Sequence, residues 1–156
     1  MTPIIVIPAR MASGRFPGKP LADIHGRPMI VRVLDRARAT GIGTVAVACG
    51  DQEIADAVRA AGGTSVLTDP DLPSGSDRVH AALATLDPEG RHDVVLNLQG
   101  DVPTVTAEQM RAALRPLADP AIDIGTVVAP IESEEEARTP SFVKAVCAFA
   151  EGAETA

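Results

Sequence analysis

Three cations stand near the start of this chain with no acid among them. Arg10, Arg15 and Lys19 fall within Pro-Ala-Arg-Met-Ala-Ser-Gly-Arg-Phe-Pro-Gly-Lys-Pro-Leu, residues 8–21, although the 14 Lys and Arg of the whole chain are outnumbered by 21 Asp and Glu. Gly14 and Gly18 free the backbone of this stretch, and Pro17 and Pro20 stiffen it. A stiff, kinked loop with cations and bare amides can cradle an anion. A nucleoside triphosphate is the anion we expect. Loop cations also suit plain solvated surface; position favours binding. The stretch follows the apolar run Ile4–Ile7, which reads as a buried strand, and open α/β sheets bind ligands at the C-terminal ends of their strands.

The type of loop can be narrowed. A Walker loop places four residues between its first glycine and Gly-Lys, then Ser or Thr. Here three residues separate Gly14 from Gly18-Lys19, and Pro20 follows. Pro20 pushes Lys19 toward extended geometry and works against a helix opening at the lysine. The dinucleotide pattern is missing too, because Gly41-Ile42-Gly43 has no third glycine at Ala46. Loop amides and spread cations would hold the phosphates, not a helix N-terminus.

Two more segments could do chemistry. Ser74-Gly75-Ser76, followed by Asp77-Arg78, is small, polar and flexible, and precedes a helical stripe; by itself it reads first as a plain helix cap. Arg78 suits either an anion or a buried ion pair with Asp77 or another acid. Gln99-Gly100-Asp101 ends the apolar run Asp93–Leu98, read here as a central parallel strand. An acid at such a tip can hold Mg²⁺, which takes one or two carboxylates plus substrate phosphates. A turn-forming Asp after Gly is the competing reading. His25, His80 and His92 stand alone, with no nucleophile or paired acid at a motif spacing. The acidic run Glu132–Glu136 reads as a solvated helix start with Ser133 and Glu136 as a capping box.

The elements that must position these residues alternate. Pro28 opens a helix over Met29–Thr40, with Ile30, Val33, Leu34 and Ala37 on one face and Gly41 at its end. Val45–Cys49 is a strand. Asp51 can cap a helix with the stripe Ile54, Val58 and Ala61, closed by Gly62-Gly63. Ser65–Thr68 is a short strand. Val79, Ala82, Leu83 and Leu86 stripe the helix after Ser74. Thr106 and Gln109 cap a helix with the stripe Met110, Ala113, Leu114 and Leu117. Ile124–Ala129 and Val143–Phe149 read as later strands. This alternation implies βαβ units, a mostly parallel Rossmann-like sheet with helices on both faces.

Bulk properties agree. At 156 residues, one domain over 1–156 is expected. Apolar residues make up 46% and aromatics 2%, so the core is aliphatic, as parallel sheets are. Few aromatics and an acidic balance argue against nucleic-acid binding. No apolar run reaches membrane-spanning length, and no signal segment opens the chain. Cys49 and Cys147 lie in apolar runs and read as buried free thiols, which fits a cytoplasmic protein. Residues 1–118 hold 12 bases and 13 acids, whereas 119–156 hold 2 and 8, so the last part is not a phosphate surface.

Pro8-Ala9-Arg10, Ser13-x-Arg15 and Pro17-Gly18-Lys19-Pro20-Leu21 together resemble the signature loop of sugar nucleotidyltransferases. More narrowly, they resemble the 3-deoxy-manno-octulosonate (Kdo) cytidylyltransferases, or CMP-Kdo synthetases. Ser74–Arg78 is similar to that family's second signature, Ser/Thr-Gly-Thr/Ser-Glu/Asp-Arg. Gln99-Gly100-Asp101-Val102-Pro103 is similar to its Gln-Gly-Asp-Glu-Pro, with Val102 in place of Glu. Val128–Ile131 and Val143–Val146 also resemble the family.

The resemblance implies a nucleotide-diphospho-sugar transferase fold and a transfer of CMP from CTP to Kdo, releasing pyrophosphate, for lipopolysaccharide biosynthesis. It implies that Ala9, Arg10, Ser13, Arg15 and Lys19 hold the triphosphate. Ser74, Gly75 and Arg78 would read base and ribose, small residues admitting a pyrimidine edge that a purine would overfill. Gln99 would face the sugar acid, and Asp101 would hold Mg²⁺. Arg10, Lys19 and Asp101 are the expected catalytic residues, and no general base is identified. Family members are homodimers and continue past this length, into a part that supplies most of the sugar-acid pocket, a second metal carboxylate and the dimer face. Alternatives are a related sugar or polyol-phosphate nucleotidyltransferase, or an inactive nucleotide-binding domain.

Overall fold

The computed structural model describes residues 1–12 and 16–146. Ile4–Ile7 is buried throughout because both faces of its strand are covered. That strand is β1 (Pro3–Ala9). A hairpin of two short strands follows, β2 (Asp23–Ile24) and β3 (Arg27–Pro28), leading directly into α1 (Met29–Ala39). Then come β4 (Thr44–Cys49), α2 (Gln52–Ala60), β5 (Thr64–Leu67), α3 (Gly75–Leu86), β6 (Val94–Asn97), α4 (Ala107–Leu114) and a short α5 (Glu134–Arg138).

The main sheet has the order β5-β4-β1-β6, and every pairing in it is parallel. Alternate residues of β1 face opposite layers. Ile5, Ile7 and Ala9 join Ile30, Val33 and Leu34 of α1, Ile54 and Val58 of α2, and Met110 of α4. Ile4 and Val6 face Val79 and Ala82 of α3. Fully burying a side chain of this kind contributes roughly 1.5–3 kcal/mol. The expected α/β architecture, with helices on both faces, is therefore what forms.

Chain order explains where a ligand can enter. From β1 the chain crosses to β4 and β5 on one side, then returns to β6 on the other. The segments leaving β1 and β6 therefore diverge, opening a crevice at the C-terminal ends of these two strands.

Three expectations are corrected. β6 is not central: among the described residues it is an edge strand, and Val95 is 40% exposed. Ile124–Ala129 forms no strand, and Ile124 and Val128 are exposed. The run lines a cavity together with Val95–Leu98 at the free edge of β6 but makes no ladder with that edge. Of Val143–Phe149, residues 143–146 form no strand either, and Val143 and Val146 are exposed; the remainder lies outside the described residues. No described helix is long and apolar enough to cross a membrane.

Candidate active site

A cleft of about 690 Å³ opens where the segments after β1 and β6 part. Pro8, Ala9, Arg10, Ala12, Phe16, Lys19 and Pro20 line one side. Gln99, Gly100 and Asp101 line the other, and Ser74, Gly75 and Arg78 at the start of α3 form the back. Residues distant in sequence and singled out for chemistry thus meet in one place. Ser13 and Arg15 lie outside the described residues. His25, His80 and His92 do not line the cleft.

The stretch after β1 is held by backbone bonds. Gly18 has φ 73°, a left-handed conformation that suits glycine, and its N–H donates to Met11 C=O at 3.1 Å. This turn starts a 3₁₀ helix over Lys19–Leu21 with Pro20 buried. No α-helix opens at the lysine, as Pro20 requires. Lys19 Nζ instead donates to Asp101 Oδ2 at 2.7 Å, joining the two lips of the cleft.

Arg78 is 2% exposed, yet among the described residues it forms no ion pair. It donates to Thr68 Oγ1 at 2.5 Å and to the carbonyls of Asp69 and Pro70 at 2.9 and 3.1 Å. The rival pairing with Asp77 is not made. Asp77 instead accepts a hydrogen bond from the Ser74 hydroxyl at 2.5 Å, and its N–H donates to Ser74 Oγ at 3.1 Å. Ser74 therefore caps α3 and lines the cleft at once. Burial, and then Arg10, hold the Arg78 guanidinium below its ordinary pKa; it remains protonated at neutral pH. A buried cation held by dipoles leaves net positive charge in the cleft wall.

Among the described residues, Asp101 is the single acidic one lining the cleft. Among the described residues no three of His, Cys, Asp and Glu gather as a metal site. A half-exposed carboxylate facing a triphosphate-sized cleft nevertheless fits Mg²⁺, whose remaining ligands come from phosphates and water. Gln99 Nε2 donates to Asn97 Oδ1 at 3.2 Å, its carbonyl oxygen lying toward Gly75. Val102 packs against the main core beneath Asp101. Burial pushes the Cys49 thiol up to about 12, so it is no nucleophile.

The sequence did not single out Thr68, Ala12 or Phe16. It also read Asp51 as the cap of α2, but the Asp51 side chain makes no cap bond. Its carboxylate accepts the Met11 N–H at 2.7 Å instead. The cap position follows from local sequence, whereas the bond actually made joins residues forty apart.

A cytidylyltransferase family model matches residues 4–154. The chain belongs to the cytidylyltransferase family. This chain is 60% identical, over 97% of its length, to the 3-deoxy-manno-octulosonate cytidylyltransferase of Rhodospirillum centenum. It is 59% identical, over 96%, to the enzyme of that name from Parvibaculum lavamentivorans. It covers 59% and 58% of those two proteins, so the chain spans about three-fifths of the length of these relatives. A solved CMP:2-keto-3-deoxy-manno-octonic acid synthetase, complexed with CTP, superposes with a TM-score of 0.69 at 40% identity, over 78% of this chain and 50% of that one.

Proposed function

We propose that this chain binds CTP in the cleft and activates 3-deoxy-manno-octulosonate, giving CMP-Kdo and pyrophosphate for lipopolysaccharide assembly in the cytoplasm. The observation that carries this is the meeting of Arg10, Lys19, Arg78, Gln99 and Asp101 around one cleft at the switch point of the sheet. The names of the relatives supply the substrate. In such a transfer the sugar's anomeric hydroxyl attacks the α-phosphorus in line, and pyrophosphate leaves. Positioning and charge stabilisation do most of the work.

Arg10 and Lys19 hold the β- and γ-phosphates and offset charge gathering on the leaving group, with Arg15 as a third cation. Arg78 adds buried positive charge behind them. Ser74 and Gly75 present a small, polar wall to base and ribose, and Gln99 faces the sugar acid. Asp101 would hold Mg²⁺, which supplies further charge neutralisation on phosphate oxygens.

A second reading, nucleotide binding without transfer, is favoured by the cleft wall's holding one carboxylate among the described residues. Titration calorimetry with CTP and Mg²⁺, beside a pyrophosphate-release assay with CTP and Kdo, separates the two. We expect CTP binding, and its loss by about tenfold or more in Lys19→Ala, as for other charge-assisted contacts. Release of pyrophosphate only when Kdo is present supports transfer; binding without release supports the second reading. Unaltered CTP affinity in Lys19→Ala would remove Lys19 from the site, and absence of CTP binding by the unaltered chain would sink both readings.

A further inference from the structure

Asp51 is used in a way that helix chemistry does not explain. It occupies the N-cap position of α2 with extended backbone, φ −137° and ψ 143°, yet its side chain leaves the helix amides unbonded. A cap of this kind ordinarily contributes about 1 kcal/mol. The carboxylate turns to the Met11 N–H at 2.7 Å, in a partly buried setting.

Met11 is the neck of the segment after β1. Its N–H goes to Asp51, its C=O accepts the Gly18 N–H at 3.1 Å, and its side chain packs against the core. Arg10 immediately precedes it. Lys19 immediately follows Gly18. The Gly50 N–H also donates to Ala9 C=O at 2.9 Å, so the chain beside Asp51 runs on with the end of β1. Asp51 also favours the charge on Arg78, which Arg10 opposes. One carboxylate thus fixes the backbone between two cleft cations and offsets the repulsion behind them.

We propose that Asp51 is a positioning residue for the anion site, acting through the Met11 amide on the placement of Arg10 and Lys19. This deepens the reading of the cleft as a triphosphate site and rests on it. The ligand class it serves is the polyphosphate chain, not the base or the sugar.

The test uses the 156-residue chain, with CTP and inorganic tripolyphosphate, each with Mg²⁺, as probes in titration calorimetry. Asp51→Ala removes the acceptor. Asp51→Asn keeps an acceptor oxygen without the charge. Asp51→Glu keeps the charge but displaces the oxygen. We expect Asp51→Ala to weaken both probes alike by about tenfold, Asp51→Asn to restore most of the loss, and Asp51→Glu to fall between. Hydrogen exchange of the Met11 and Gly18 amides should quicken in Asp51→Ala.

A merely structural role would lower the melting temperature and leave tripolyphosphate affinity unchanged in the folded variant; that result overturns the proposal. So does Asp51→Asn binding as weakly as Asp51→Ala, which would make charge the cause and not the anchor. Should Asp51→Ala fail to fold, Asp51→Glu with wild-type affinity overturns it. If the wild-type chain binds neither probe, the triphosphate reading itself fails. The exchange data then decide the anchor separately, and unchanged Met11 protection in Asp51→Ala refutes it.

Discussion

The Lys19–Asp101 pair is the most informative contact at the residue scale, because each partner is expected to serve a different ligand. Their side chains are 35% and 52% exposed, and the Nζ–Oδ2 distance is 2.7 Å. A pair that exposed is worth less than about 1 kcal/mol, because water and salt screen it. It bridges the lips of the cleft and is weak enough to be exchanged. In the proposed function a triphosphate would take the ammonium and a divalent cation the carboxylate, so the two arriving together would replace one contact with two. Asp101→Asn should therefore act in opposite directions. Without metal, CTP should bind as well as to the wild type or up to about fivefold tighter, since Lys19 is released. With Mg²⁺ added, the gain seen in the wild type should vanish. Titrations with and without the metal read both; a loss of metal-free binding in Asp101→Asn would show that Lys19 does not depend on it in this way.

At the scale of elements, the question is how β6 brings Asp101 so close to β1. A Cβ on Gly100 would sit 2.7 Å from Pro8 O and 3.3 Å from Ile30 Cδ1. The oxygen belongs to the interior strand β1 and cannot step aside. Gly100→Ala should push the tip of β6 away, costing about 1–3 kcal/mol of stability and weakening CTP binding together. Thermal melts and calorimetry on the same preparation check this, and unchanged values for both would remove the close approach from the argument. Much of this framework was legible in the sequence. The stripes of α1, α2 and α3 and the run of β1 each turn toward the core what their period predicts, with Ala61, Leu83 and Leu86 partly buried. The hairpin β2–β3 was not legible, because two-residue strands have no period; its one signal is His25-Gly26, both at positive φ, φ 50° and 79°. The strand readings at 124–129 and 143–146 failed for another reason. An apolar pattern records a preference for burial and does not show whether the run will form a ladder with a neighbouring edge. The cleft itself was mostly legible because its residues fall just past strand ends. Asp51 and the Arg78 partners were not, since a cap and an anchor look alike in sequence, and backbone carbonyls leave no residue signature.

At the scale of the whole molecule, the two ends of the sheet do different work. The cleft sits at the C-terminal ends of the strands. At the opposite end, Asp93 ties the start of β1 to the approach to β6, and Asp87, at the end of α3, ties that helix to the same approach. Asp93 accepts the Thr2 N–H at 2.5 Å and its hydroxyl at 3.1 Å, and the terminal amine lies 3.6 Å away. Asp87 accepts the N–H groups of His92 and Arg91, both at 2.8 Å. The backbone N–H groups of His92 and Arg91 hold Asp87 below the ordinary carboxylate range, and the Thr2 N–H does the same for Asp93. Because the folded values are depressed, both contributions are complete above the unfolded Asp value of about 3.9 and are lost as pH falls through the folded values. Urea midpoints should therefore hold level, as far as these two groups are concerned, from pH 7 to about 5 and fall steeply below about 4. The Asp87→Asn, Asp93→Asn double variant should be less stable at pH 7, show a shallower acid limb, and approach the wild type at the acid end. Its CTP affinity at pH 7 should match the wild type, since neither residue lines the cleft. An acid limb as steep in the double variant as in the wild type would assign acid sensitivity to other groups. A drop in CTP affinity would mean that the far end of the sheet helps to set the site, through β1, whose two ends carry the anchors and the cation loop.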